Sequence, residues 1–210
     1  GIVLHSLRYG DTSRIVHIYT SAEGLVPFMV RGGAGRRGGT RAALMQPLTL
    51  VEVDFDMRHT KNLQTLRDIQ LSVPYASLPF DMKKRAIAMF LTEVLHAALR
   101  GEQGNEHLFA FISASLQWLD LAEKEYSNFH LIFLLRLLRY LGFYPEHHPD
   151  ADALQVPLLL RFDYRSMRLL RLNGSQRQEF LQRLLLFYQE NIPSFPEIQS
   201  AEVLKSIFAS

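Results

Sequence analysis

At 210 residues the chain has room for one large or two small domains, and its 48% hydrophobic content supports a packed core. There is no cysteine, which excludes disulfides, thiolate chemistry and cysteine-based zinc sites. Net charge is only +2, yet residues 1–75 carry nine Lys/Arg against six Asp/Glu while residues 76–210 carry fourteen against fifteen. The basic bias therefore belongs to the N-terminal third and points to an anionic partner.

The chain opens at Gly1-Ile2-Val3-Leu4 without methionine, so a few native residues are expected to be missing, and nothing resembles a signal peptide. With the lack of cysteine this fits a cytoplasmic protein. Five short runs rich in Val, Ile, Leu, Thr and Phe follow, at residues 2–7, 14–20, 25–31, 48–55 and 63–71. Turn residues separate them: Tyr9-Gly10-Asp11, Ser21-Ala22-Glu23-Gly24, a Gly/Arg loop, and Asp56-Met57-Arg58-His59. In the fourth run Thr49, Val51, Val53 and Phe55 fall on one face, with Glu52 and Asp54 on the other, as in a strand with one buried side. Five strands in this space, antiparallel by their tight turns, suggest a small closed barrel. The OB-fold is the common five-stranded solution and often binds single-stranded nucleic acid.

The loop at residues 31–41 holds Arg31, Arg36, Arg37 and Arg41, five glycines and no acid. Glycines let backbone press against a ligand, and guanidinium forks suit phosphate. Such a loop either contacts phosphate or is a solvated hairpin tip. Gly33-Ala34-Gly35-Arg36-Arg37-Gly38 matches G-x-G-x-x-G by letter, but a dinucleotide site needs a helix opening at the glycines. Only eight residues separate Gly38 from Pro47, so that helix does not fit. Gly39-Thr40 also stands where a P-loop requires Lys-Ser/Thr.

Pro74 and Pro79 bracket a linker, after which the period becomes helical. Ile87, Phe90, Leu91, Val94, Leu95 and Leu99 form one stripe, ended near Gly101. Asn105 is placed to cap a second helix carrying Leu108, Phe109, Ile112, Leu116 and Leu119. Ser127 is placed to cap a third, running to Gly142 and apolar on nearly all sides, as the central helix of a bundle would be. A short hairpin is expected near residues 158–172. Ser175 and Gln178 then have the spacing of a capping box, and a last helix opens at Ser200. The predicted class is α+β: an N-terminal five-stranded OB-fold barrel in residues 1–75, followed by a mostly helical domain in residues 76–210.

No Ser/His/Asp set, HExxH or other catalytic spacing is present, and the chain reads as a non-enzyme with no cofactor. His147-His148-Pro149-Asp150 concentrates metal-type side chains, but adjacent histidines point apart and the stretch reads as a polar loop, so no metal is expected. Asp54 and Asp56 read as a solvated strand face entering a turn. Lys83-Lys84-Arg85 opens a helix, where the macrodipole disfavours cations; it is either a solvated face or the rim of a groove for an acidic partner. Arg136 and Arg139 share a face of the most apolar helix and either meet an internal acid or line a partner pocket.

The opening Gly1-Ile2-Val3-Leu4-His5-Ser6-Leu7-Arg8-Tyr9-Gly10-Asp11-Thr12-Ser13 resembles that of RecO, the bacterial recombination mediators. So do Ile18-Tyr19-Thr20, Glu23-Gly24, Arg31-Gly32, the basic loop and Gln46-Pro47. In the helical half, Arg139-Tyr140-Leu141-Gly142-Phe143-Tyr144-Pro145 looks like the family's Leu-Gly-Tyr/Phe signature, and Phe162-Asp163 and Ser200-x-x-Val203-Leu204 match the pattern. The resemblance implies an OB-fold joined to a helical domain that binds single- and double-stranded DNA and anneals strands. It also implies work with RecR and docking of the acidic C-terminal tail of single-stranded DNA-binding protein, so that RecA can load. Carried onto this chain, the basic loop falls on Arg31, Arg36, Arg37 and Arg41, with Arg8 and Arg14 nearby on the barrel. For the tail, the cations near apolar helix faces are Lys83, Lys84, Arg85, Arg136 and Arg139. One departure stands out: many relatives carry a four-cysteine zinc motif after the signature, and this chain has no cysteine there. Two other classes remain open: a protein-interaction scaffold with weak nucleic-acid contact, and an enzyme using the loop for a nucleotide.

Overall fold

Val16 and Ile18 on one strand, and Val26, Phe28 and Val30 on the next, alternate with more accessible residues and are buried. That period of two gives a sheet with one side committed to a core. In the computed structural model, which describes residues 1–10, 13–31, 42–144 and 156–208, five strands result. They are β1 (Ile2–Tyr9), β2 (Ser13–Thr20), β3 (Gly24–Arg31), β4 (Leu50–Phe55) and β5 (Gln64–Val73). They close into a barrel in the order β1-β2-β3-β5-β4, the arrangement of an OB-fold. The expectation of purely antiparallel pairing is corrected at closure, where β3 runs parallel to β5 through Phe28–Gln64 and Met29–Thr65. Tight turns fix only neighbouring pairs, while the β3–β4 connection is long enough for either direction. The interior is filled by Val3, Val16, Ile18, Val26, Phe28, Val30, Val51, Leu66 and Ile69, with Met45 from the β3–β4 connection.

The chain divides into two compact units, Gly1–Tyr75 with Thr92–Ser113, and Ala76–Leu91 with Ala114–Ser210. Helices α1 (Met82–Ala98) and α2 (Glu106–Leu121) thus each contribute one end to each unit. In the first unit a side chain has no room where two turns meet. A Cβ on Gly24, which has φ +70, would collide with the Glu102 carbonyl oxygen, and one on Gly104 with that of Ala22. The β2–β3 turn and the α1–α2 connection therefore touch backbone to backbone.

In the second unit, α3 (Phe129–Tyr140) is buried from Phe129 to Leu135 and again at Leu137 and Leu138, the central helix its sequence called for. Its N-cap is Asn128 rather than Ser127, and it makes no side-chain cap bond. Its amide instead donates to the Leu170 carbonyl (2.7 Å) and its oxygen accepts from Arg177 Nε (3.0 Å). The second helix does use Asn105, whose Oδ1 accepts from the Leu108 amide at 3.0 Å. The hairpin expected near 158–172 is not formed. Residues there make α4 (Val156–Leu159) and a 3-10 turn (Met167–Leu169) around an Asp163–Ser166 turn, in which the carboxylate accepts from the Ser166 amide and hydroxyl. Met167 and Leu170 bury, which a two-stranded ribbon exposed on both faces would not achieve. Helix α5 (Gly174–Asn191) is opened by a capping box of Asn173 and Gln176, two residues before the expected pair. The last helix, α6, runs Ser200–Phe208 as read.

The start of this unit is pinned by Asp120, a buried carboxylate accepting from the amides of Ala76, Ser77 and Leu78 at 2.7–2.8 Å. Burial opposes its charge, but those three amides and the Lys84 ammonium hold its carboxyl below the usual range.

Candidate nucleic-acid interface and partner pocket

Arg8 and Arg14 are direct cross-strand partners near the end of the β1–β2 hairpin, and Arg14 is in turn opposite Val30 on β3. Cross-strand partners share a face, so both arginines continue the row of Val16 and Phe28 past the end of the core. Arg14 is half-buried and its Nε donates to Ser6 Oγ at 2.8 Å, which fixes the guanidinium; Arg8 is exposed. Arg31 is opposite Ser13, and Ser13 opposite Tyr9. This places exposed Arg31 and Tyr9 together on the outer face, about 10 Å apart across one intervening strand. The three arginines therefore bracket both faces of one barrel end, and among the described residues none has an acidic partner. Arg36, Arg37 and Arg41 lie outside the described residues; Arg31 marks the point where the chain leaves β3 towards them. Tyr9, 55% exposed, was not singled out in the sequence, where it reads only as a turn residue; an aromatic next to Arg8 was the available signal. Its ring offers a stacking platform beside a cation.

The partner set fares unevenly. Lys83 and Arg85 are exposed at the start of α1. Lys84 is buried, its ammonium donating to the Asp120 carbonyl at 2.7 Å and to Ser77 Oγ, so it is consumed inside the unit. Arg136 is half-buried with its guanidinium 5.3 Å from the Tyr164 ring centre, a cation–π contact on a ring that also stacks on Phe129. Arg139 is exposed. A pocket of about 520 Å³ lies elsewhere, between the starts of α3 and α5 and the end of α6. It is lined by Leu181, Leu204, Phe208, Arg177, Lys205 and His130, among others. Arg177 spends its donors on Asn128 and on the carbonyls of Leu172 and Phe208, all neutral, so its charge is uncompensated among the described residues. His130 is 1% exposed with Nδ1 unpartnered, and burial, then the Arg177 charge, push its pKa down to about 3. Lys83 Nζ sits 6.0 Å from the Phe208 ring, close to the mouth.

Two family descriptions match: Recombination protein O N terminal over residues 1–75, and Recombination protein O C terminal over residues 79–155. The chain belongs to the RecO family. Curated relatives named DNA repair protein RecO include that of Phocaeicola vulgatus, 36% identical over 235 residues, covering 100% of this chain and 98% of the relative. Those of Bacteroides fragilis (35% over 236 residues; 99% and 97%) and Christiangramia forsetii (34% over 232 residues; 99% and 97%) are similar.

The chain contains no cysteine to serve as a metal ligand. His147 and His148 lie outside the described residues, and among the described residues no group of three or more His, Cys, Asp or Glu side chains is arranged to hold a metal ion. No described helix is long and apolar enough to cross a membrane.

Proposed function

We propose that this RecO-family chain acts in DNA repair and recombination as a non-catalytic DNA-binding and strand-annealing mediator. It binds single- and double-stranded DNA on the barrel, works with RecR, and helps load RecA onto single strands covered by single-stranded DNA-binding protein. The observation that carries this reading is the set Arg8, Arg14 and Arg31, without an acidic partner among the described residues, at the barrel end from which the Gly/Arg loop departs. Guanidinium groups on both faces of one edge neutralise phosphate without reading bases, which suits a protein that must act on any sequence. Annealing requires two polyanions to approach, and neutralisation of phosphates lowers that barrel-side repulsion without nucleotide hydrolysis. The decisive experiment is annealing of complementary strands coated with cognate single-stranded DNA-binding protein, in the absence of ATP. Stoichiometric acceleration is expected; a rate equal to that without the protein refutes the mediator role.

The acidic tail of single-stranded DNA-binding protein is better served by the α3–α5–α6 pocket than by Lys83, Lys84, Arg85, Arg136 and Arg139 together. Apolar walls from Leu181, Leu204 and Phe208, with Arg177 and Lys205 at hand, provide what an apolar residue beside carboxylates requires. Lys83 remains as a rim cation, whereas Lys84 is tied to Asp120. Titration of a labelled tail peptide against Arg177→Gln and Lys205→Glu should show weakened binding. Unchanged affinity in both variants removes the tail from this pocket.

A further inference from the structure

Three imidazoles from separate parts of the first unit meet on the outer face of the barrel. His5 on β1 and His17 on β2 are cross-strand partners beside a β-bulge, and His96 comes from the C-terminal half of α1. The His5 and His96 rings stack with centres 4.8 Å apart and planes 20° apart, and His17 Nδ1 lies 2.8 Å from His96 Nε2. Stacked rings do not converge on a common point, which is the geometry of contact between imidazoles rather than of a metal site. Arg100, exposed just beyond α1, is the other charge acting on His17 and His96, and among the described residues no carboxylate acts on either. Glu93, one turn earlier on α1, has contacts of its own, and Glu102 acts on Tyr19.

The hydrogen bond between His17 and His96 needs one N–H and one lone pair, so it tolerates one added proton and breaks with two. Burial first, and then the neighbouring histidines and Arg100, disfavour even the first proton, lowering His17 and bringing His96 down to about 4. Among the described residues the cluster lacks a counter-anion. His5 is exposed, so the cluster is open to one. The same outer face of β1 continues through Leu7 to Tyr9, with Arg31 on the strand beyond Ser13. His5 to Tyr9 spans about 13 Å at the rise of a strand, a run on the order of two to four nucleotides.

Building on the nucleic-acid reading above, we propose that His5, His17, His96 and Arg100 form a proton-linked phosphate contact for a nucleic-acid strand lying along the outer face of β1. A phosphate seated there supplies the missing negative charge, so an imidazole takes up a proton as the strand binds. Affinity then rises as pH falls, by up to about tenfold per pH unit for one linked proton. Arg8 and Arg14, on the other face, are not linked to protons because guanidinium does not titrate in this range.

The test is anisotropy of a labelled oligothymidine titrated with the full chain from pH 8 to pH 5.5 at fixed ionic strength. Calorimetry in two buffers of different ionisation enthalpy counts the protons taken up. Uptake approaching one proton, with a pH slope that flattens in His5→Gln and in His17→Gln, is expected. His5→Gln is the safer variant because position 5 is exposed, and circular dichroism verifies the fold of both. If the parent binds with no pH slope, or if both variants keep the parent's slope, the phosphate contact is wrong while the nucleic-acid reading stands. If the parent binds no oligothymidine at any pH, the reading on which the proposal rests fails as well.

Discussion

Protonation of His130 is the perturbation with the clearest magnitude. Its folded-state pKa is about 3 because the ring is fully buried and faces the Arg177 charge, against an unfolded value of about 6.5. For a base with a lowered folded pKa, the unfolded chain binds more protons below the unfolded value. Stability is therefore whole above about pH 6.5 and falls as pH drops towards 3, by about 1.4 kcal/mol per pH unit. At pH 5 the loss from this one residue is about 2 kcal/mol. His130→Leu removes both the titration and the unpartnered Nδ1, so at pH 7.5 its stability should lie within about 1.5 kcal/mol of the parent, a lost polar burial offsetting imperfect packing. The single tryptophan provides the assay: Trp118 stacks on Phe129, the residue before His130, with ring centres 5.8 Å apart. Urea unfolding followed by its fluorescence at pH 7.5, 6, 5 and 4.5 should give a parent curve that drops and a His130→Leu curve that is flatter by about 2 kcal/mol at pH 5. Parallel curves for the two proteins would show that His130 is not held neutral, and that the pocket beside it is wetter than its burial indicates.

Asp120→Ala removes three backbone-amide bonds and the carboxylate charge that favours the buried Lys84 ammonium, whose own bond to the main-chain carbonyl survives, and should cost roughly 3 kcal/mol or more by urea unfolding; Asp120→Asn should cost less, since one oxygen still accepts. Gly24→Ala and Gly104→Ala each force backbone apart where the β2–β3 turn meets the α1–α2 connection, and should lower stability by roughly 2 kcal/mol or more, whereas Gly10→Ala, with open space around it, should cost less. A Tm for Gly24→Ala equal to that of the parent contradicts the close approach. Replacing Arg8, Arg14 and Arg31 with alanine should weaken single-strand binding for all sequences alike and flatten the log–log salt slope by up to about 2, at about 0.7 per phosphate contact. Replacing Arg36, Arg37 and Arg41 should flatten it by a similar amount with stability changed by less than about 0.5 kcal/mol. A triple variant of either set that keeps the parent's slope takes that set off the DNA path.

The strands and the central helix were legible in the sequence because each follows from a local period. Alternating Val16, Ile18, Val26, Phe28 and Val30 specify a one-sided sheet, and a helix apolar on nearly every side, such as Phe129–Leu138, has only the middle of a bundle to occupy. Capping was legible at Asn105, while the third helix, assigned to Ser127, starts one residue later at Asn128, whose side chain tertiary contacts keep from capping. Asn128 gives its amide to Leu170 and its oxygen to Arg177, a demand from residues more than forty positions away. The stretch 158–172 has enough apolar residues for strands, but burying Met167 and Leu170 decided against a ribbon. The same holds for charge. Sequence placed Lys84 beside Lys83 and Arg85 as one cationic run, yet only the fold carries its ammonium inward to the Asp120 carbonyl. Tertiary structure alone joined Arg177, Lys205 and His130 at one pocket, and brought His5, His17 and His96 into contact across 91 positions of chain. Local pattern fixes which face a residue presents; which distant group meets that face depends on how the elements pack, and charge acts through space rather than along the chain.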